Sequence, residues 1–281
     1  MPAPSLAEKA TAFSSLHESG CFVLPNAWDV PSAALIAEAG FPALATTSAG
    51  VAFVQGLPDG ETLGRSRMIE LAGAIARRIP LPVSADLEAG YGPTPDDVAE
   101  TIRAAIVAGL VGANIEDVDP RTGKLFEFDQ AVARIRAACT VARASGLAFV
   151  VNARSDPWLV GFGTAQQCFD EAVRRVNAYL EAGARCAFIP GPADADTIGR
   201  LAAAVKGPLN VLGGFRGTAA PPLDVLRGLG VRRVSLGGSL MLASYTATRR
   251  ALEGVRDGRF DYATGALSNG AMTALLAKYG G

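Results

Sequence analysis

The sequence predicts an α/β fold: one (β/α)8 barrel of the TIM type with an additional C-terminal helix. Three observations carry this expectation. Short apolar, β-prone runs recur eight times along 281 residues, each followed by a polar or Gly-rich turn and then an amphipathic stretch. The runs are continuously apolar instead of alternating, the pattern of parallel strands covered on both faces. The length is large for an ordinary domain yet normal for a closed barrel, and no linker divides residues 1–281. A doubly wound open sheet is the competing arrangement. No G-x-G-x-x-G follows the first strand, so its dinucleotide-binding form has no support.

Strands are expected at residues 21–25, 43–46, 83–86, 112–116, 149–153, 186–189, 209–212 and 233–236. Between them the spacing predicts helices. Residues 96–108 place Val98, Ile102, Ala105 and Ile106 on one face, and 169–182 do the same with Ala172, Val173, Val176, Tyr179 and Leu180. Asp96 or Asp97 should cap the first of these. Gly109, Gly183 and Gly230 stand where helices should end in a left-handed residue. The tail, residues 262–281, reads as a helical extension with a helix over 270–278 and Asn269 as N-cap. It is apolar enough to pack on a neighbouring subunit, so a homo-oligomer is expected.

Composition narrows the function. The 26 basic and 27 acidic residues leave a net charge of −1. No basic stripe points to nucleic acid, and no basic amphipathic segment points to a membrane surface. No uncharged run reaches the roughly 18 residues that span a bilayer, and the start lacks the apolar core of a signal peptide. Cys21, Cys139, Cys168 and Cys186 form no C-x-x-C pair, so they read as reduced cysteines of a cytoplasmic protein. The only histidine, His17, precedes the first strand and reads as a helix-end residue. That argues against a Ser-His-Asp or Cys-His enzyme.

In a barrel the chemistry sits at the C-terminal ends of the strands. Asp86 and Glu88 end the third predicted strand and Glu116 the fourth, giving an oxygen-only cluster that suits Mg²⁺, or Mn²⁺, and not zinc. A cation would also relieve their mutual repulsion. Arg154 ends the fifth strand, where it could clamp a substrate carboxylate or pair with Glu116. Thr47-Ser48-Ala49-Gly50 offers hydroxyls and backbone N–H groups to an anion. Gly213-Gly214-Phe215-Arg216-Gly217-Thr218 and Gly237-Gly238-Ser239 read either as phosphate-gripping turns or as ordinary tight turns.

Taken together, five stretches resemble the isocitrate lyase / phosphoenolpyruvate mutase superfamily, in its phosphonomutase-like branch. They are Leu24-Pro25-Asn26-Ala27-Trp28-Asp29, Gly56-Leu57-Pro58-Asp59-Gly60, Asp86-Leu87-Glu88-Ala89-Gly90-Tyr91-Gly92, Asn114-Ile115-Glu116-Asp117 and Asn152-Ala153-Arg154-Ser155-Asp156. The resemblance implies that Asp86 binds Mg²⁺ directly while Asp59, Glu88 and Glu116 hold its waters. It implies that Thr47, Ser48, Ala49, Asn26, Trp28 and Arg154 contact the substrate, a small 2-oxo acid or phosphoenolpyruvate-like molecule. The segment 117–126 becomes a mobile gate, with Arg121 or Lys124 as the cation it delivers. The family's barrels swap their last helix in homodimers or homotetramers. Its reactions pass through a metal-stabilised enolate as a C–C or P–C bond is made or broken. The sequence departs from the isocitrate-type lyases: the gate has no Cys or His, and Thr46 stands where they place a Tyr. A lyase of the isocitrate or methylisocitrate kind is therefore not expected. C–C cleavage or decarboxylation of another small 2-oxo or enol carboxylate is the expected reaction. P–C chemistry on a phosphonate is the alternative, and a barrel that binds a ligand without turnover is a third.

Overall fold

The computed structural model describes residues 4–215 and 217–279. Arg216, within the turn after the seventh strand, lies outside them, as do residues 280 and 281 of the tail. The barrel strands are Phe22–Leu24 with its continuation Asn26–Ala27, then Leu44–Thr46, Val83–Asp86, Gly112–Glu116, Val150–Arg154, Cys186–Phe188, Leu209–Leu212 and Arg233–Ser235. All neighbouring pairs among them are parallel. The first strand is interrupted at Pro25, which has no N–H to donate, although its carbonyl accepts from Ala45 N at 2.8 Å. Its first half pairs with the last strand and its second half with the second strand, so the two edges meet on one segment.

The register gives the barrel's geometry. Extended once around, from Asn26 through Ala45, Ser84, Gly112 and Val150 to the last strand, the ladders return to the first strand eight residues earlier. Eight strands with that shear form a TIM-type barrel, whose interior is filled by layers drawn from alternate strands. The uppermost layer is Asn26, Asp86, Arg154 and Leu212, and beneath it come Ala45, Asn114, Phe188 and Ser235. The third layer is Leu24, Ser84, Asn152 and Asn210, and the fourth Ala43, Gly112, Cys186 and Arg233. Polar residues thus continue well below the strand ends. The outward faces carry the apolar residues, such as Val83, Ala113, Val151 and Val211, which meet the ring of helices.

A helix not anticipated from the sequence, α1 (Leu6–Ser15), closes the opposite end. Ser5 and Glu8 form its capping box. Its Ala10 and Phe13 pack on Phe22, Leu24, Val150 and Cys186. Gly112 makes room for this plug, since a Cβ there would lie 2.8 Å from the Phe13 ring. His17 follows α1, with Nδ1 and the Phe13 carbonyl 2.9 Å apart. Burial, aided by the charge of Arg233, pushes it down to about 3. It is neutral, and it sits at the end away from the strand C-termini.

Other elements differ from expectation in detail. The helix expected at 96–108 is α5 (Pro95–Val107), counting α2 (Val30–Glu38), α3 (Ser48–Val54) and α4 (Arg65–Arg78) before it. Thr94 caps it and Asp97 returns the bond as the reciprocal member of a capping box. The helix expected at 169–182 begins four residues earlier, because Thr164 and Gln167 form a capping box there. Near the C-terminus, Ser268 and not Asn269 caps the final helix, Asn269–Lys278, by accepting from Ala271 N. Before it, the helix Ser239–Arg256 buries only Met241 of its 18 residues and leaves Leu242, Tyr245 and Leu252 exposed. Among the described residues, no helix is long and apolar enough to cross a membrane.

Candidate active site

A cavity of about 650 Å³ opens at the C-terminal ends of the strands. Asn26, Thr47, Ser48, Ala49, Asp59, Asp86 and Arg154 line it, so seven of the residues expected from the sequence converge. Asp86 is positioned from two sides. Its N–H donates to Thr46 Oγ1 at 3.1 Å, and its Oδ2 accepts from Ser48 Oγ at 3.0 Å. Ser48 opens α3, which Thr47 caps through Gly50 N. Oδ1 of Asp86 is buried and has no hydrogen-bond donor among the described residues.

The other acids surround Asp86 at a distance. Asp59 sits on an exposed loop at the rim, and Glu88 and Glu116 lie behind the lining. Among the described residues, no three such side chains converge closely enough to chelate one ion. Their charges nonetheless oppose one another. Burial, with Asp59 and Asp86 adding repulsion, pushes Glu88 up to about 8. The protein around Asp59 and the charge of Asp86 raise the Asp59 carboxyl too. A single direct carboxylate with a free lone pair, ringed by carboxylates set back from it, is a donor set that fits a hard divalent cation which keeps most of its waters.

Local backbone strain fixes this ring. Glu88 has φ 51° and Tyr91 φ 59°, and Glu61, which faces them, has φ 63°. Non-glycine residues rarely occupy this region, and such strain persists where surroundings impose it. Here the bonds are mutual: Glu61 N donates to Glu88 Oε2, and Tyr91 N donates to Glu61 Oε1 at 2.6 Å. The Tyr91 hydroxyl donates to Glu88 Oε1 at 3.3 Å. Buried Arg134 holds the same loop from behind by donating to the Ala89 and Gly92 carbonyls. Its guanidinium lies 4.0 Å from the Phe126 ring centre.

Arg154 is engaged. It pairs with Glu116 at 2.7 Å and with Asp156 at 2.8 Å. Despite that partner, burial holds Asp156 up at about 6. Trp28 does not line the cavity; its side chain packs on Gly50, where a Cβ would come within 2.8 Å of it. Asn26 lines the cavity, but its amide is committed to protein partners. Nδ2 donates to the Thr46 carbonyl at 2.7 Å, and Oδ1 accepts from Leu236 N and Gly237 N, both at 2.9 Å.

The expected gate is a short hairpin, Val118–Asp119 paired with Lys124–Leu125. Arg121 and Lys124 do not line the cavity. Arg121 is bound twice to Asp119, at 2.8 and 2.7 Å. The base of the hairpin is Asp117, a buried hub. It accepts from Ser155 Oγ at 2.7 Å, Tyr179 OH at 2.8 Å and Asp156 N at 3.0 Å.

Sequence reading missed Glu61, Tyr91, Arg134 and the hub role of Asp117. It also missed a polar group at the cavity floor: Ser235, which lines the cavity, and Ser84, Asn152, Asn210 and Arg233 buried beneath it. Asn210, Arg233 and Ser235 interrupt apolar strands, but that they face inward follows only from the strand register.

A family model described as phosphoenolpyruvate phosphomutase matches residues 13–256. The chain is 38% identical over 253 residues to an uncharacterized protein of Mycobacterium tuberculosis, covering 88% of this chain and 90% of that one. It is 32% identical over 269 residues to oxaloacetate decarboxylase from Chromohalobacter salexigens, covering 92% and 88%. Among solved structures it matches oxaloacetate acetylhydrolase in complex with oxalate, with a TM-score of 0.85 at 27% identity over 96% of this chain and 94% of that one.

Proposed function

This chain belongs to the phosphoenolpyruvate mutase / isocitrate lyase superfamily, and from that premise we propose that it is a Mg²⁺-dependent C–C lyase that decarboxylates a small 2-oxo dicarboxylate. The observation that carries this reading is the make-up of the cavity wall. Among the described residues it holds carboxylates, hydroxyls, amides and one guanidinium, with no thiol, imidazole or amine. Cleavage of an alcohol to a carbonyl needs a base to take its proton, and the wall offers only the carboxylates that this reading assigns to the metal site. Loss of CO₂ from the carbon next to the oxo carbon needs no base. The C–C bond to that carboxylate breaks, its electron pair passes into the enolate of the remaining 2-oxo acid, and a proton arrives later. What such a reaction needs is an electron sink.

Asp86 would hold the metal directly, with Asp59, Glu88 and Glu116 holding its waters. When bound, Mg²⁺ supplies the charge that stabilises the developing enolate oxygen. The protein's own groups do the rest. Ser48 orients Asp86. Arg154 balances a substrate carboxylate, exchanging part of its present bond to Glu116 or Asp156 for it. The hairpin at 118–125 closes to exclude water.

The same family premise gives the exposed helix Ser239–Arg256 a role. Its row of Leu242, Tyr245 and Leu252 suits burial on a second subunit, in a homodimer or homotetramer. Purified protein with Mg²⁺ and oxaloacetate tests the activity, with pyruvate measured against an Asp86→Ala control that accounts for non-enzymatic decay. Pyruvate formation no faster than in that control would refute the reading.

A further inference from the structure

Arg233 lies wholly inside the barrel, two layers below Ser235 on the same inward face. Burial draws its pKa down to about 10, so it is charged at neutral pH. A buried guanidinium is costly unless its donors are used. Among the described residues its hydrogen-bond partners are neutral: Nε donates to Ser235 Oγ at 3.1 Å, and Nη2 to Asn114 Oδ1 at 3.5 Å. Both partners line the cavity above.

The direction of these bonds matters. Ser235 Oγ also accepts from Asn210 Nδ2 at 3.0 Å. Two donors from below fill both lone pairs of that oxygen, and neither can accept in return. The Ser235 hydroxyl hydrogen is left to donate elsewhere. Asn114 Oδ1 likewise accepts from Asn152 Nδ2 at 2.6 Å as well as from Arg233. With its oxygen held down, the Asn114 amide group offers its N–H₂. The acceptors of the floor are thus occupied from beneath, and its free groups are donors.

We propose that Arg233 is a positioning residue that makes the cavity floor donor-only, so that Ser235 and Asn114 grip an anionic oxygen of the substrate, a carboxylate or enolate. The floor selects against ligands that present a hydroxyl or amine there, because no acceptor is free to receive them. The proposal rests on the reading that the cavity takes a small anionic substrate. It adds that discrimination comes from a charge the substrate never touches.

Oxalate is the probe, titrated by calorimetry into wild type, Arg233→Met, Ser235→Ala and the double variant, with and without Mg²⁺. Loss of one hydrogen bond to an anion corresponds to about a tenfold weakening. Arg233→Met and Ser235→Ala should each weaken oxalate about tenfold and leave Mg²⁺ affinity unchanged. Because Arg233 acts in part through Ser235 and in part through Asn114, its effect should be smaller in the Ser235→Ala background than in wild type. Arg233→Lys, which keeps the charge, should recover part of the loss. Oxalate affinity unchanged in Ser235→Ala, which removes one buried oxygen and keeps the fold, overturns the proposal. So do effects of the two substitutions that simply add. Wild type that binds oxalate with this same pattern but takes up no Mg²⁺ refutes the metal reading and supports the floor. Wild type that binds oxalate under neither condition overturns both.

Discussion

Glu88→Gln should make the metal-free protein more stable, and increasingly so as the pH rises. Glu88 is 5% exposed and crowded by Asp59 and Asp86, which with burial raise its carboxyl from 4.5 to about 8. The folded state therefore keeps this proton over a range in which the unfolded chain has lost it. For a carboxyl raised in this way, the stabilising contribution is full below pH 4.5 and is lost as the pH climbs to 8. A tenfold difference in proton affinity between the folded and unfolded chain is worth about 1.4 kcal/mol. Over the whole interval the ceiling is roughly 5 kcal/mol, and water reaching the site will reduce it. Glutamine keeps the shape, accepting from Glu61 N and donating to the Tyr91 oxygen, but it has no proton to lose. Urea unfolding in EDTA at pH 5.5, 7 and 8.5 should show the two proteins diverging by a few kcal/mol at the highest pH. Curves that stay parallel across that range would refute the electrostatic account. Adding MgCl₂ at pH 8.5 should stabilise wild type more than the variant, because a cation removes the repulsion that glutamine has already removed.

Three further outcomes follow from the geometry. Asp117→Ala leaves Ser155, Tyr179 and the Asp156 N–H without their buried acceptor, and should cost about 3–5 kcal/mol in urea unfolding; a loss below about 1 kcal/mol would contradict its role as hub. In light scattering coupled to size exclusion, the chain should run as a dimer or tetramer, and Leu242→Glu with Leu252→Glu should shift it toward monomer; a wild-type monomer would remove the role given to the exposed helix. Ser84 Oγ, Asn152 Oδ1, Asn210 Oδ1 and Arg233 Nη1 have no partner among the described residues, and their two donors and two acceptors match the valence of one enclosed water. A high-resolution crystal structure should show it bridging them; dry, apolar packing at that level would refute the layer assignment.

The barrel was legible because its strands are set by pattern: continuous apolar runs, turn glycines and amphipathic helices all repeat, and each repeat supports the others. Its upper rim was legible for a related reason. Asp86, Glu116 and Arg154 stand at the ends of apolar runs, where a charge stands out against the strand pattern. The same logic failed one turn lower. Arg233 and Asn210 stand inside runs read as strand interior, and only the register of eight closed strands shows that they face inward on one another. Thr164 and Ser268 were missed as caps because the helical period begins after them, so the cap is visible only from its bond to the third residue on. Glu61 lies in a segment without any period; its partnership with Glu88 is a contact across 27 residues that no local pattern encodes. Arg121 and Lys124 are the reverse case. The sequence marks them as the hairpin's cations, whereas the structure ties Arg121 to Asp119 and holds both away from the cavity.

Asp86 is the pivot of the proposed site, and its buried Oδ1 has no donor of its own among the described residues. Calorimetric titration of Mg²⁺ into metal-free wild type and Asp86→Ala tests its role most directly. One saturable site in wild type, lost in Asp86→Ala while the variant keeps its fold by circular dichroism, is the predicted result. Equal Mg²⁺ binding by the two proteins, or none by wild type, would contradict the claim that this cavity is a metal centre.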